Sequence, residues 1–305
     1  MKILVTGASG GLGRRLTGKL LEQGHEVWGL FRQQTDYLPA GSHFIPCLGD
    51  VTLENLGLYE TDWEFEACYH LAGTINLSPI DKDNIIRETN LYGTAHVIQF
   101  CERYQIPHLY FCSTAFASGL RNPYEQSKSA ADLITSHSKI PEVTIFKPSL
   151  VLGCGRQHFS TFVSLLISFH RRAEIIRRRI EGTLRLPVIE PGFRIHGNPQ
   201  GLLNLVTADA VTTEMVRIQR AGTFWLTNPE PPSLSELAGI VGDFCLINLS
   251  FEKEFAGTPF EAGFQRLTRS FQPYLQGDVF PSNMPYFRLT RADIEKEMLQ
   301  VLHRR

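Results

Sequence analysis

Short apolar runs and amphipathic stretches alternate along the first half of the chain. Ile3–Thr6, Glu26–Phe31, His43–Cys47, Ala67–His70, His108–Ser113 and Val143–Lys147 have the length and composition of strands. Between them, apolar positions recur at helical spacing over Arg14–Gln23, Arg87–Tyr104 and Tyr124–Ser136. Strand, helix and strand in repetition feed a parallel sheet with helices on both faces. A further strand, Thr223–Leu226, ends before Asn228-Pro229-Glu230-Pro231-Pro232, a strong loop signal. The stretches after Gly153 and after Pro229 are less regular. The pattern therefore predicts an α/β chain. A doubly wound parallel sheet is expected over residues 1–155, completed by about 205–228. A smaller α+β C-terminal lobe, which binds substrate over the strand ends, is expected from residues 156–204 and 229–305.

Composition narrows this picture only a little. The chain has 305 residues, 43% of them hydrophobic, enough for an extended sheet and an added lobe. A net charge of −1 offers nothing to nucleic acid as a whole. No apolar run reaches the length of a membrane span, and the first strand begins at Lys2 without a leader, so a cytoplasmic protein is expected. Cys47, Cys68, Cys101, Cys112, Cys154 and Cys245 are scattered, with no metal-ligand spacing. They read as small buried hydrophobes, and no metal site is expected.

The first turn is the strongest chemical signal. Thr6-Gly7-Ala8-Ser9-Gly10-Gly11-Leu12-Gly13 lies between a strand and a helix, where backbone N–H groups and the helix dipole cradle a pyrophosphate. The second strand ends in Phe31-Arg32, with no carboxylate for ribose hydroxyls and one guanidinium for a 2′-phosphate. That favours NADP(H) over NAD(H), unless Asp36 reaches back. Asp50, in Gly49-Asp50-Val51-Thr52, accepts either from an adenine amino group or from the N–H groups of a following helix start. Tyr69-His70-Leu71-Ala72-Gly73 ends the fourth strand in small residues that let a cofactor lie against the backbone; His70 reads equally as a satisfied core histidine. Tyr124 and Lys128 are one helical turn apart after Pro123, so phenol and ammonium share a face. An ammonium there is expected to draw the phenol toward a working acid–base range. Upstream, Cys112-Ser113-Thr114 brings hydroxyls to the end of the fifth strand.

In order and spacing these motifs, with Asn90-Leu91-Tyr92-Gly93-Thr94 and Lys147-Pro148-Ser149, resemble the extended short-chain dehydrogenases/reductases over essentially the whole chain. The resemblance implies a Rossmann fold that binds NAD(P)(H) and a Thr114–Tyr124–Lys128 catalytic set, with Ser113 as the alternative hydroxyl and Asn90 as the family's helix asparagine. It implies cofactor contacts from Thr6, Gly7, Ser9, Gly10, Gly11, Leu12, Gly13, Phe31, Arg32, Asp50 and Val51. It extends them to Leu71, Ala72, Gly73, Cys112, Tyr124, Lys128, Lys147, Pro148 and Ser149. Ser113–Gly119 and Gly201–Asp209 look most like the thioester-reductase and fatty-acyl-reductase branch. Against that family's sugar-nucleotide members, Ser118 stands where Tyr is common and Phe31 where an acidic residue is usual; Lys147 and Gly73 stand where Arg and Ala are common.

Finally, Arg171–Arg179 places five arginines in nine residues, after the apolar Phe162–Phe169. Two readings stand side by side. One is a solvated helix face with Ile175, Ile176 and Ile180 inward; the other is a lipophilic pocket with a basic mouth for coenzyme A or an acyl-carrier protein. The expected function is NADP(H)-dependent hydride transfer at a carbonyl of a small apolar substrate. The alternatives are a nucleotide-sugar epimerase or dehydratase and a non-catalytic NADP(H) sensor. The resemblance further implies a homodimer through the helices of Arg87–Tyr104 and Tyr124–Ser136.

Overall fold

A computed structural model describes residues 1–33, 43–59, 62–154, 158–185 and 192–303, so Asp36 lies outside the described residues. The elements run β1 (Lys2–Thr6), α1 (Gly11–Glu22), β2 (Glu26–Phe31), β3 (Phe44–Leu48), β4 (Ala67–His70), α2 (Ile85–Arg87), α3 (Gly93–Arg103) and β5 (His108–Cys112). They continue with α4 (Pro123–Ser136), β6 (Glu142–Pro148), β7 (Leu150–Leu152), α5 (His158–Leu184), β8 (Phe193–His196), β9 (Leu205–Thr207), α6 (Ala208–Arg217) and β10 (Gly222–Leu226). The last are α7 (Leu234–Cys245), β11 (Leu249–Glu252), α8 (Pro259–Leu267) and α9 (Arg291–His303).

Two compact units divide the chain. The first comprises Met1–Cys154, Val206–Pro229 and Phe280–Phe287; the rest forms the second. Sequence pattern put 229–305 wholly in the second, and Phe280–Phe287 departs from that. The reason is an edge: β10 ends the sheet, and Asn283 N–H donates to Trp225 O (2.8 Å) while Ser282 Oγ donates to Thr227 O (2.6 Å). The strap satisfies backbone groups that an edge strand would otherwise expose.

The first unit holds a seven-stranded sheet in the order β3-β2-β1-β4-β5-β6-β10, every neighbouring pair parallel. Alternate residues serve opposite faces. Ile3, Val5, Tyr69, Tyr110 and Phe146 pack with Leu16 and Leu20 of α1 and Val211 and Met215 of α6. Leu4, Cys68 and Leu109 pack with Val97, Phe100 and Cys101 of α3 on the other face. Both faces are covered, which is why the strands read as unbroken apolar runs. Each such fully buried side chain contributes roughly 1.5–3 kcal/mol. The winding reverses between β1 and β4, where Thr6 pairs with His70. Ligands bind outside the strand ends at such a reversal.

The stretch expected as one helix over Arg87–Tyr104 begins at Ile85 and carries a π-helical turn over Glu88–Tyr92. Single π turns interrupt helices mostly where a side chain must be re-aimed at a site, and Asn90 sits inside this one.

In the second unit β8 pairs in parallel with β11. Phe162, Phe169, Phe193, Phe264 and Phe271 form one aromatic cluster with ring centroids 5.3 to 6.4 Å apart. Phe162 and Phe169 are thereby committed to packing within this unit. Among the described residues no helix is long and apolar enough to cross a membrane.

Candidate active site

The glycine turn is built by close approach. Gly7 has φ +71°, and a Cβ there would lie 2.6 Å from Ala72 N. A Cβ on Gly13 would lie 2.1 Å from Gly7 O, and one on Gly11 2.5 Å from Cys154 O. Helix α1 starts at Gly10 with no side-chain cap and no acidic residue in its first turn. Its positive end is thus left open, and this fits the pyrophosphate of a nicotinamide dinucleotide.

Several residues expected at the cofactor have other commitments. Thr6 Oγ1 is buried, 2.7 Å from His70 Nδ1, and accepts from Ala72 N–H at 3.3 Å. Phe31 is buried with its ring 6.0 Å from that of Phe44, and Val51 belongs to the core under α3. Their side chains hold the scaffold, and only their backbones border the strand ends. Lys147 has other partners too: its ammonium meets Asp132 Oδ2 at 2.6 Å and lies 5.3 Å over the Trp225 ring. The reason is register, because Lys147 lies opposite Trp225 in the sheet and α4 supplies the carboxylate. Asp50 Oδ1 accepts from Thr52 N–H and Oγ1, both at 2.9 Å, a local turn contact rather than a helix cap. Ser9 and Gly10 are exposed, Leu12, Leu71 and Ala72 half-buried, and Pro148 buried; Arg32 stands exposed at the end of β2.

His70 is fully buried between two threonines. Thr94 donates to Asn90 O at 2.6 Å, so its oxygen accepts from His70 Nε2–H at 3.0 Å. Nδ1 is left to accept from Thr6. The tautomer follows from this count. Burial first, then the charge of Lys128, pushes the imidazole down to about 3, so it stays neutral. It is the satisfied core histidine of the two readings.

The Thr114, Tyr124, Lys128 and Asn90 side chains come together at the ends of β4 and β5. Asn90 Oδ1 accepts from Thr74 N–H at 2.7 Å, and its Nδ2 donates to Thr74 O (2.9 Å) and Ser127 Oγ (3.0 Å). Lys128 Nζ donates to Cys112 O at 2.9 Å. A Cβ on Gly73 would lie 3.2 Å from Asn90 Oδ1 and 3.4 Å from Lys128 Nζ, so the glycine keeps this corner open. Thr114 lowers the proton affinity of the Tyr124 phenol, whereas the buried Ser113 Oγ and Ser149 Oγ find no partner. Two orphaned hydroxyls at the strand ends are a further fit to a polar ligand there.

The phenol departs from the expected direction. Burial, then Cys112, pushes the Tyr124 proton affinity up, Glu125 and Asp132 add to it, and the Thr114 hydrogen bond opposes it. Lys128 is itself pushed down by burial. Desolvation therefore sets the direction for both groups in the protein alone. Glu125, Arg121 and Asp132 carry no motif and were missed by sequence reasoning; only the i, i+4 acidic–basic spacings hinted at them.

In the second unit, Arg177 pairs with Glu174 (2.6 Å) and Glu181 (3.4 Å), and Arg178 with Glu174 (3.2 Å). Ile175 and Ile180 are exposed rather than inward; His170, Glu174, Arg177 and Glu181 form the half-covered side of α5 at helical spacing.

A family model described as NAD dependent epimerase/dehydratase matches residues 3–177, the stretch that contains the glycine turn, Asn90, Thr114, Tyr124 and Lys128. The chain belongs to that family. Short-chain dehydrogenase/reductase family 42E member 1 of Homo sapiens is 30% identical over 116 residues, 37% of this chain and 29% of that one. An uncharacterized protein of Mycobacterium tuberculosis is 58% identical over 45 residues, 15% of this chain and 5% of that one. The chain thus matches only a small part of each relative's length. Among solved structures, a UDP-glucuronic acid 4-epimerase from Bacillus cereus, in complex with NAD, superposes with TM-score 0.66 at 18% identity over 100% of both chains. A UDP-glucose 4-epimerase from Thermotoga maritima does so with TM-score 0.65 at 13% identity, over 99% of this chain and 98% of that one. At these identities the likeness is one of fold.

Proposed function

We propose that the protein transfers hydride between NADP(H) and a carbonyl carbon, with Thr114, Tyr124 and Lys128 as its catalytic residues. The observation that carries this reading is the buried Lys128 ammonium, pinned to Cys112 O at 2.9 Å one turn from the buried Tyr124, with the buried Thr114 two residues beyond Cys112. Both hydroxyls would bind the carbonyl oxygen. As the carbon gains hydride, Tyr124 gives its proton to that oxygen and Lys128 stabilises the phenolate left behind. Asn90 holds Thr74 and Ser127, and through them the loop after β4 and the helix face that presents Lys128. A nicotinamide dinucleotide supplies the hydride when bound; Gly7 to Gly13 would hold its pyrophosphate.

Arg32, exposed where an acidic residue would favour NAD(H), supports NADP(H). The substrate class we favour is an apolar acyl thioester, aldehyde or ketone, after the likeness of Ser113–Gly119 to thioester reductases. A coenzyme A or acyl-carrier form would be steered by the exposed Arg171, Arg172 and Arg179. A second reading, epimerisation or dehydration of a nucleotide sugar, is favoured by the family and by the sugar nucleotides named for the structural neighbours. Equilibrium titration with NADPH and NADH, followed by an NADPH-oxidation screen over acyl-CoAs, aldehydes, ketones and nucleotide sugars, separates the two. The carbonyl reading expects tighter NADPH binding and net cofactor oxidation. Turnover of a nucleotide sugar on tightly retained cofactor, with no net oxidation, overturns it.

A further inference from the structure

Glu125 is a carboxylate with no exposed surface, placed beside Tyr124, and the chemistry above gives it no task. Removing a carboxylate from water is expensive unless its oxygens are matched by donors. Here Arg121 supplies donors to both oxygens. Arg121 N–H donates to Oε2 at 2.8 Å, and Nε and a terminal guanidinium nitrogen reach Oε1 at 2.9 Å each. The guanidinium also lies 5.5 Å over the ring of Phe116. Phe116 belongs to the 3-10 turn Ala115–Ser118 that follows Thr114, and Thr114 Oγ1 accepts its N–H at 3.4 Å. On its far side Phe116 meets Phe280 edge-on at 5.0 Å, and Phe280 lies 6.0 Å from Trp225.

Arg121 thus touches the turn that carries Thr114 and the helix that carries Tyr124. The connecting loop is shaped around the same ion pair. A Cβ at Gly119 would lie 2.6 Å from Glu125 Oε2 and 2.9 Å from Arg121 Nε, so a side chain there would displace the pair. Leu120 takes φ +53°, a left-handed conformation that leucine seldom adopts, and Gln126 Nε2 donates to its carbonyl at 3.1 Å.

We infer that Arg121 and Glu125 are positioning residues: a buried ion pair that fixes the Thr114 hydroxyl against the Tyr124 phenol. This rests on the catalytic reading given above. A pair that only stabilised the fold would be indifferent to the sign of its charges, whereas this one stands beside a titrating phenol. The charged and titratable groups around Tyr124 are Cys112 from β5, Glu125, Lys128 and Asp132 from α4, Lys147 of β6 through Asp132, and Arg121 through Glu125. Removing the carboxylate adds net positive charge near the phenol, and removing the cation adds net negative charge.

Glu125→Gln, Arg121→Met and Arg121→Lys test this, against a Tyr124→Phe reference, with thermal midpoint and NADPH dissociation constant as controls. We expect Glu125→Gln and Arg121→Met each to lower kcat by about tenfold to a hundredfold, the scale of a small misplacement of reacting groups, with NADPH binding held within about twofold. Their pH profiles should move in opposite directions, down for Glu125→Gln and up for Arg121→Met. Arg121→Lys, which keeps charge but loses the fork, should recover part of kcat with an unshifted profile. Ionisation of Tyr124, read as the ultraviolet difference between each variant and the same variant carrying Tyr124→Phe, gives the same shifts without any substrate. If Glu125→Gln or Arg121→Met does not fold, Arg121→Lys and the uncharged Phe280→Ala carry the decision: both must lower kcat more than they weaken NADPH binding. Wild-type kcat in folded variants, or shifts of the same sign for both charge removals, overturns the inference. Loss of activity in the clamp variants beside an active Tyr124→Phe enzyme overturns the catalytic reading instead.

Discussion

Two helices begin where strands of the same sheet end, and their first turns are built in opposite ways. Helix α1 starts on Gly10 with no cap, no acid in its first turn and glycines where side chains would block approach. Helix α4 starts on Asn122, whose Oδ1 accepts from Glu125 N–H at 3.0 Å, with Pro123 in the first turn and the Glu125 carboxylate held by Arg121. One positive end is left for an outside anion; the other is filled by the chain itself. The difference tells what each site requires. A phosphate cradle needs vacancy and N–H groups, which backbone supplies. Proton transfer needs two side chains at fixed separation, which takes caps, ion pairs and packing.

The contrast can be broken at either end. The largest expected effect is at the filled end: Tyr124→Phe should lower kcat by roughly 10²–10⁴, the usual share of a positioned acid–base group, while NADPH still binds. Single-turnover kinetics with a fluorescence titration checks this, and retention of most of kcat removes Tyr124 from the chemistry. Next comes an attempt to fill the open end. Gly10→Asp brings a Cβ to 3.2 Å from Gly7 O, a tight contact that a shift of a few tenths of an ångström relieves. As a cap in place of glycine it should stabilise α1 by only about 0.3 kcal/mol, yet weaken NADPH binding by at least about tenfold through repulsion of the pyrophosphate. Denaturation and cofactor titration on the same sample should therefore move in opposite senses; tighter binding would mean that the anion does not sit there. Smallest is the loss of the cap at the filled end. Asn122→Ala should cost about 1 kcal/mol of stability by urea unfolding, with cofactor affinity unchanged.

The two ends were also unequally legible. The glycine turn could be read because its signal is local: a strand, three spaced glycines and a helix within a dozen residues. Tyr124 and Lys128 could be read because a helix fixes the distance between positions four apart. Thr6, Phe31 and Lys147 stand in the right motifs, yet their side chains turn to His70, Phe44 and Asp132. A motif gives a residue's place in the chain, and only packing gives the direction of its side chain. The strap Phe280–Phe287 was hidden for a related reason, because its partner is an edge strand more than fifty residues earlier.

By itself, then, the sequence determined the alternation of strand and helix, the parallel sheet and the place of the cofactor turn. Period-two and period-3.6 apolar patterns and glycine spacing are short-range properties, and each motif lies within one element and its turn. Tertiary structure decided that burial sets the direction of the Tyr124 proton affinity, and that Arg121 pairs with Glu125 in the loop between Thr114 and Tyr124. Those outcomes depend on desolvation and on contacts between residues from different elements, and neither is encoded in the spacing of any one stretch.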